Sequence, residues 1–140
     1  MGDPLRARVA ASFARQGLME TLGARLGEVA PGRVSVHAPI RPQTAQQQGA
    51  AHAGLTFSIA DSAAGYAALT LLDEGMEVVT SEMRISLLAP GIGAGLRAEG
   101  RVLRAGRRLV AVAADVWAEG EREVHVAAAL GTMVPVPVRG

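Results

Sequence analysis

The sequence predicts an α+β domain in which a long central helix is wrapped by a curved antiparallel β-sheet, with a short helix ahead of both. Three observations carry that expectation. Residues 53–72 form a Pro-free run dominated by Ala and Leu, apolar nearly all round, as in a helix buried on most of its faces. Four strand-like runs follow at 77–88, 96–104, 108–117 and 123–134. The turn signals between them, Pro90-Gly91, Gly106 and Gly120, are closely set, which suits antiparallel hairpins rather than parallel crossovers. Strands this apolar cannot leave one face in water, so the sheet must curl around the lone helix.

Taken in order, Leu5, Val9 and Phe13 recur every four residues between arginines, the stripe of a short amphipathic helix with Pro4 in its first turn. That helix serves as a flap or as a packing helix, and 1–16 is set apart as an N-terminal helical segment. Around the Pro31-Gly32 turn signal, Val34, Val36 and Ala38 alternate with Arg33, Ser35 and His37, which predicts a first hairpin between 23 and 40. Residues 41–52 are polar and small without periodicity, as in a loop at a surface or a site. The helix from Ala53 is thin, and Gly65 in its interior is expected to mark a close approach to the sheet. The order is therefore hairpin, helix, four-stranded meander.

Composition narrows the chemistry. The chain has 140 residues, enough for one core, with 49% apolar and 19% charged residues. Its 14 basic and 13 acidic side chains leave a net charge of +1, so no global field draws it to nucleic acid or an anionic membrane. All 14 basic side chains are Arg, which excludes lysine imines, and the lack of Cys excludes thiol nucleophiles and thiolate-bound metals. No apolar run reaches membrane-spanning length, and a soluble cytoplasmic protein is expected.

One residue stands out. Asp61 is flanked by apolar and small residues for two turns either way, where a carboxylate is rare and costly to bury without a partner. It is a candidate base or nucleophile; an ordinary place at an exposed helix edge, or a hydrogen bond to Ser58 or Ser62, is also open to it. The free N–H groups at the helix start, from Ala53 to Leu55, could hold a developing oxyanion, and Gly54 would admit a substrate closely. Asp61 lies eight residues beyond Ala53, roughly 12 Å along the axis at 1.5 Å per residue, so one helix cannot supply both to one carbonyl. If carboxylate and donors act on the same carbonyl, the helix start must come from a second copy packed antiparallel across a two-fold axis. Arg104, Arg107 and Arg108 around Gly106 offer local positive charge for phosphates, or form an ordinary solvated turn. His37, His52 and His125 lack metal-ligand spacing, and no metal is expected; His37 and His125 read as strand surface residues.

The run Gln46-x-x-Gly49-x-x-His52-Ala53-Gly54-x-x-x-x-x-Ala60-Asp61, followed by VTSEMRISLLAPGIGAGLRAEGRVLRAGRR at 79–108, resembles the hotdog-fold thioesterases of the phenylacetate-degradation (PaaI-like) type. The likeness spans roughly 17–134 and implies a hotdog thioesterase domain over 17–140. In that family His-Gly-Gly opens the central helix and an acid nine residues after the His is essential, a spacing that His52 and Asp61 reproduce. The resemblance implies an acyl-CoA thioesterase in which Asp61 attacks the thioester carbonyl or activates water and the Ala53 N–H polarises the carbonyl oxygen across a dimer. Gln46 would orient the thioester or water, and His52 would support the site. Gly49, Ser62, Arg104, Gly106, Arg107 and Arg108 are expected around substrate and CoA. Ala53 stands where Gly is usual, and Gly65 where some relatives carry Ser or Thr. The implied assembly is a homodimer or a tetramer of two dimers, with no cofactor beyond the CoA of the substrate. The substrate expected is an aryl- or medium-chain acyl-CoA. The other reading is a non-catalytic acyl-CoA-binding or sensing module. A hydratase is disfavoured, because it would need an Asp and a His close together and no pair is suitably spaced.

Overall fold

The computed structural model describes residues 2–139, and its first helix, α1 (Pro4–Ala14), begins where Asp3 meets Pro4. The Asp3 carboxylate accepts from the Leu5 N–H at 3.0 Å, and Pro4 fills a first turn that needs no donor. A six-residue helix that the sequence pattern did not suggest, α2 (Gly17–Leu22), follows and stops at Gly23, whose φ of 68° only glycine adopts readily. The outermost residues of the two segments anticipated at 1–16 and 17–140, Met1 and Gly140, lie outside the described residues. Of flap and packing helix, α1 is built as the latter. Val9 is fully buried, and the Arg8 guanidinium donates to the carbonyl oxygens of Leu69, Leu72, Asp73 and Met76 at 2.6 to 3.4 Å. Those oxygens lie at and just beyond the C-terminus of the central helix, where cations are favoured.

β1 (Arg25–Ala30) and β2 (Arg33–Pro39) form the first hairpin around Pro31-Gly32, with Gly32 at φ 74°. The central helix α3 (Ala53–Leu69) follows, then β3 (Met76–Leu87), β4 (Gly95–Ala105), β5 (Val110–Glu119) and β6 (Val124–Pro137). All pairings are antiparallel, in the order β1-β2-β4-β5-β6-β3. This is the hotdog arrangement. The expected four-stranded meander is only partly formed: β4, β5 and β6 are consecutive neighbours, but β3 crosses to the far side and pairs with β6. The helix is wrapped because β2, joined to β4, closes the sheet on its other flank.

α3 ends three residues earlier than expected. Leu71 and Leu72 turn tightly onto the carbonyls of Ala68 and Leu69, and the Thr70 hydroxyl donates to Ala67 O at 2.6 Å. Ile59, Ala60, Ala63, Ala64 and Ala68 pack on Val36, Leu96, Ala98, Val112 and Val116 in one apolar core. The close approach of helix to sheet does occur, but at another glycine than the one singled out. A methyl at Gly65 would meet its nearest neighbour, Val78, at 3.7 Å, whereas a methyl at Gly100 on β4 would lie 2.3 Å from the Ala63 backbone. Backbone cannot move aside as a side-chain tip can. Gly100→Ala should therefore cost about 3 kcal/mol and lower Tm by roughly 10 °C. Gly65→Ala should be neutral or slightly stabilising, and thermal melts of the two variants check the contrast.

Only one stripe of the front part of α3 is left open: Ala53, Gly54, Phe57, Ser58 and Asp61 are exposed or half-buried, while Leu55, Thr56, Ile59 and Ala60 between them are buried. Both proposed catalytic ends of the helix lie on that stripe.

Candidate active site

The loop before α3 is shaped by its own hydrogen bonds. Gln46 N–H donates to Ala50 O at 2.8 Å, Gly49 N–H to Gln46 O at 3.0 Å with φ 89° at Gly49, and His52 N–H to Thr44 O at 2.9 Å. This returns the chain so that His52 caps the helix. Its Nδ1 accepts from the Gly54 N–H at 2.7 Å, and its carbonyl oxygen accepts from Leu55 N–H at 3.0 Å and Thr56 N–H at 3.3 Å. Of the three donors considered for an oxyanion, Gly54 and Leu55 are thus occupied, and Ala53 N–H alone has no partner among the described residues. Gly54 also serves the cap: a methyl there would lie 3.0 Å from His52 Nδ1, so its smallness makes room for it. Gln46 and Ala53 line one cavity of about 340 Å³, together with Thr56, Leu87 and Leu88.

Asp61 opens onto a separate cavity of about 290 Å³. It is half-exposed within the single chain rather than buried, because it stands on the open stripe of α3. Its partner is neither Ser58 nor Ser62. The Thr80 hydroxyl on β3 donates to Asp61 Oδ1 at 2.7 Å, while Ser58 donates to Gly54 O at 2.7 Å and Ser62 to Gln16 Oε1 at 3.3 Å. One carboxylate oxygen is thereby oriented, and Oδ2 has no such donor among the described residues. Ser62 lines the same cavity, as does Gly65.

The remaining candidates are scattered. Gly49 borders a surface hollow with Gln46, Arg41 and Gly93 rather than either cavity. Arg104, Gly106, Arg107 and Arg108 form the exposed tip of the β4–β5 hairpin, closed by Gly106 N–H on Leu109 O at 3.0 Å. Through the register Ala105↔Val110, Val110↔Met133 and Met133↔Thr80, that tip lies at the same end of the sheet as Asp61, three strands across. His37 and His125 are half-buried and engaged, not free surface residues: His37 faces Glu119 at 3.3 Å, and His125 meets Asp115 at 2.9 Å and stacks on Trp117 at 4.5 Å. An Asp and a His are therefore brought together, since antiparallel β5 and β6 join residues ten apart in sequence. The Asp115–His125 pair is tied to Arg101 at 2.7 Å and lines neither the Gln46 cavity nor the Asp61 cavity. Among the described residues no three His, Asp or Glu side chains gather as a metal site, and no helix is long and apolar enough to cross a membrane.

The wrapped antiparallel sheet agrees with what comparison finds. The sequence pattern of the thioesterase superfamily matches residues 48–125, more than half of the chain. The chain belongs to the thioesterase superfamily. It is a thioester hydrolase with the hotdog fold. A thioesterase family protein from Silicibacter pomeroyi is similar to it at 35% identity and TM-score 0.93, over 96% of this chain and 99% of that one. A Bacillus halodurans protein whose crystal structure includes CoA is similar at 25% identity and TM-score 0.78, over 99% and 98% of the two chains. The E. coli PaaI protein from the phenylacetic acid degradation operon shares the fold at 22% identity and TM-score 0.84, over 94% and 93%.

Several residues around Asp61 carried no sequence signal. Thr80 opens a run of three polar residues on β3, and Ser12 and Gln16 belong to the N-terminal segment, far from Asp61 in sequence. Tyr66 did carry one, as the chain's single tyrosine set in a helix of small residues. It is 4% exposed, accepts from Gln16 Nε2 at 2.8 Å and lies 3.1 Å from Ser12 Oγ. Burial pushes its phenol above the ordinary 10.0, with the Ser12 and Gln16 hydrogen bonds acting the other way. The folded state thus holds this proton more tightly than the unfolded one, so the contribution to stability is intact below pH 10 and is lost as pH rises through the folded value. With no Lys and no Cys in the chain, no other side chain titrates there. Wild-type Tm should fall more steeply than that of Tyr66→Phe above about pH 10, as melts across that interval would show.

Proposed function

We propose that this thioesterase hydrolyses acyl-CoA esters of aryl or medium-chain acids at sites completed by a second copy of itself. The observation that carries this reading is the division of the machinery: the unpartnered Ala53 N–H and Gln46 line one cavity, and Asp61 lines another further along the same helix. A two-fold axis would join them. Thr80 lies beside Asp61, and Leu87 lines the Ala53 cavity, so α3 and β3 run antiparallel and share a midpoint near Phe57 on the helix and Met83-Arg84 on the strand. Phe57 is 37% exposed there, and β3 is a 12-residue strand at the sheet edge with its outer side unpaired among the described residues. A long bare edge is a template for another strand. Pairing β3 with its copy about that midpoint sets Thr80 of one chain opposite Leu87 of the other, which brings each Asp61 cavity against an Ala53 cavity. Two such dimers would make the tetramer.

In that site the Ala53 N–H, at the positive end of α3, takes the thioester carbonyl oxygen and stabilises the charge it gains in the tetrahedral transition state. Asp61, held through Oδ1 by Thr80, uses its other oxygen in one of two ways. As nucleophile it bonds to the carbonyl carbon, CoA departs as thiolate, and water cleaves the resulting anhydride to free acid and restored carboxylate. As base it takes a proton from a water whose oxygen attacks the same carbon, and the C–S bond breaks as CoA departs as the thiol with that proton. Oxygen-18 from labelled water enters Asp61 in a single turnover only by the first route. Neither route calls for a metal or a bound cofactor. Gln46 orients the thioester or the water, and His52 fixes the helix tip by capping it. Ser62 and Gly49 border the acyl and pantetheine ends, and Arg104, Arg107 and Arg108 around Gly106 grip the CoA phosphates. The test is release of free thiol from a panel of acyl-CoA esters: turnover of aryl or medium-chain members supports the reading, and no release from any member removes it.

A further inference from the structure

The cavity beside Asp61 is lined by Thr80, Val78 and Gly65 and by a polar cluster, Ser12, Gln16, Ser62 and Tyr66, that runs along α3 from Ser62, next to the acid, to Tyr66. These four side chains carry five N–H and O–H donors: one each on the three hydroxyl groups and two on the amide. Three are engaged: Gln16 Nε2 on Tyr66 Oη, Ser62 Oγ on Gln16 Oε1, and one hydrogen shared between Ser12 and Tyr66. Two donors remain, an amide N–H of Gln16 and one hydroxyl of the Ser12–Tyr66 pair, without partners among the described residues. Tyr66 stays protonated across the physiological range, as its raised phenol requires. At the rim, Arg15 and Glu77 face each other at 3.8 Å, so neither is left as a free partner for a charged acyl end.

Tyr66 lies five residues beyond Asp61, roughly 7 Å along the helix axis. A six-carbon acyl chain spans about that distance from its carbonyl. We propose that the Tyr66 end of this cluster receives the far end of the acyl group, and that Gln16 with the Ser12–Tyr66 pair selects acyl groups bearing a neutral oxygen there over hydrocarbon groups of equal length. The inference rests on Asp61 being the attacking acid of the proposed thioesterase site. A hydrocarbon end would displace water from the two remaining donors and leave them unpaired, whereas a hydroxyl or carbonyl oxygen accepts from them.

The test compares hexanoyl-CoA with its ω-hydroxy derivative, by kcat/KM for the esters and by Kd for the corresponding S-alkyl CoA thioethers, which cannot be hydrolysed. Wild type should favour the hydroxylated member on the order of tenfold in both measurements. Gln16→Leu, which removes one of the two free donors, should lower both ratios. So should Gln16→Glu, which keeps an acceptor for Ser62 and loses the amide donors, with melting curves showing that each variant is folded. Equal treatment of the two esters by wild type, or a preference undiminished in both Gln16 variants, overturns the selection while leaving acyl-CoA hydrolysis standing. Thioethers bound with the expected ratio but esters left intact would overturn the hydrolysis and leave the selection standing. Absence of both binding and turnover overturns the two together.

Discussion

Asp61→Asn should reduce CoA release from a good acyl-CoA substrate by at least about a thousandfold, with the loss in kcat and the fold intact. An amide neither attacks the thioester carbon nor accepts a proton from water, so either use of the carboxylate is lost. The structure explains why folding should survive. Asp61 is half-exposed, and its one hydrogen bond, from the Thr80 hydroxyl to Oδ1, is one that the Asn carbonyl oxygen can equally accept. Steady-state thiol release and a thermal melt on the same preparation check both halves, and turnover like that of wild type would remove Asp61 from the reaction.

Ala53→Pro tests the opposite end of the helix and should lower kcat by roughly a hundredfold to a thousandfold, the usual effect of deleting one oxyanion donor. Proline suits this position. Ala53 is the first residue of α3, where proline's fixed φ is already helical and where the backbone N–H has no partner within the chain's described residues. The residue before it, His52, has φ −64° and ψ 143°, within the region that a following proline requires. The substitution therefore removes one hydrogen and little else. Unchanged kcat in a folded Ala53→Pro variant would show that the carbonyl oxygen is held elsewhere.

Much of this was legible in the residues. The Ala-rich run from Ala53 carries its burial in its composition, and Gly and Pro placed the hairpin turns. The crossing of β3 to the far edge was not legible, because strand patterning states which residues face the core and not which strand is the neighbour. Gly65 was read as the close contact and Gly100 was passed over for a related reason: a glycine's role depends on what stands opposite, here the Ala63 backbone. The spacing from His52 to Asp61 pointed to both ends of the proposed reaction, and helix geometry alone placed them too far apart for one chain. Gln16, Thr80 and the Asp115–His125 pair escaped because tertiary pairing brings them to their partners across long stretches of sequence.

The central claim is that each active site takes its acid from one chain and its oxyanion donor from another. Co-expressing Asp61→Asn and Ala53→Pro chains with different affinity tags, and purifying the mixed dimer through both, tests it directly. Each parent alone is impaired at every site, but the mixed dimer concentrates both lesions in one site and leaves the other whole. The account predicts that it recovers about half the kcat of the wild-type dimer. A mixed dimer no more active than its parents would contradict it, since acid and donor would then belong to the same chain.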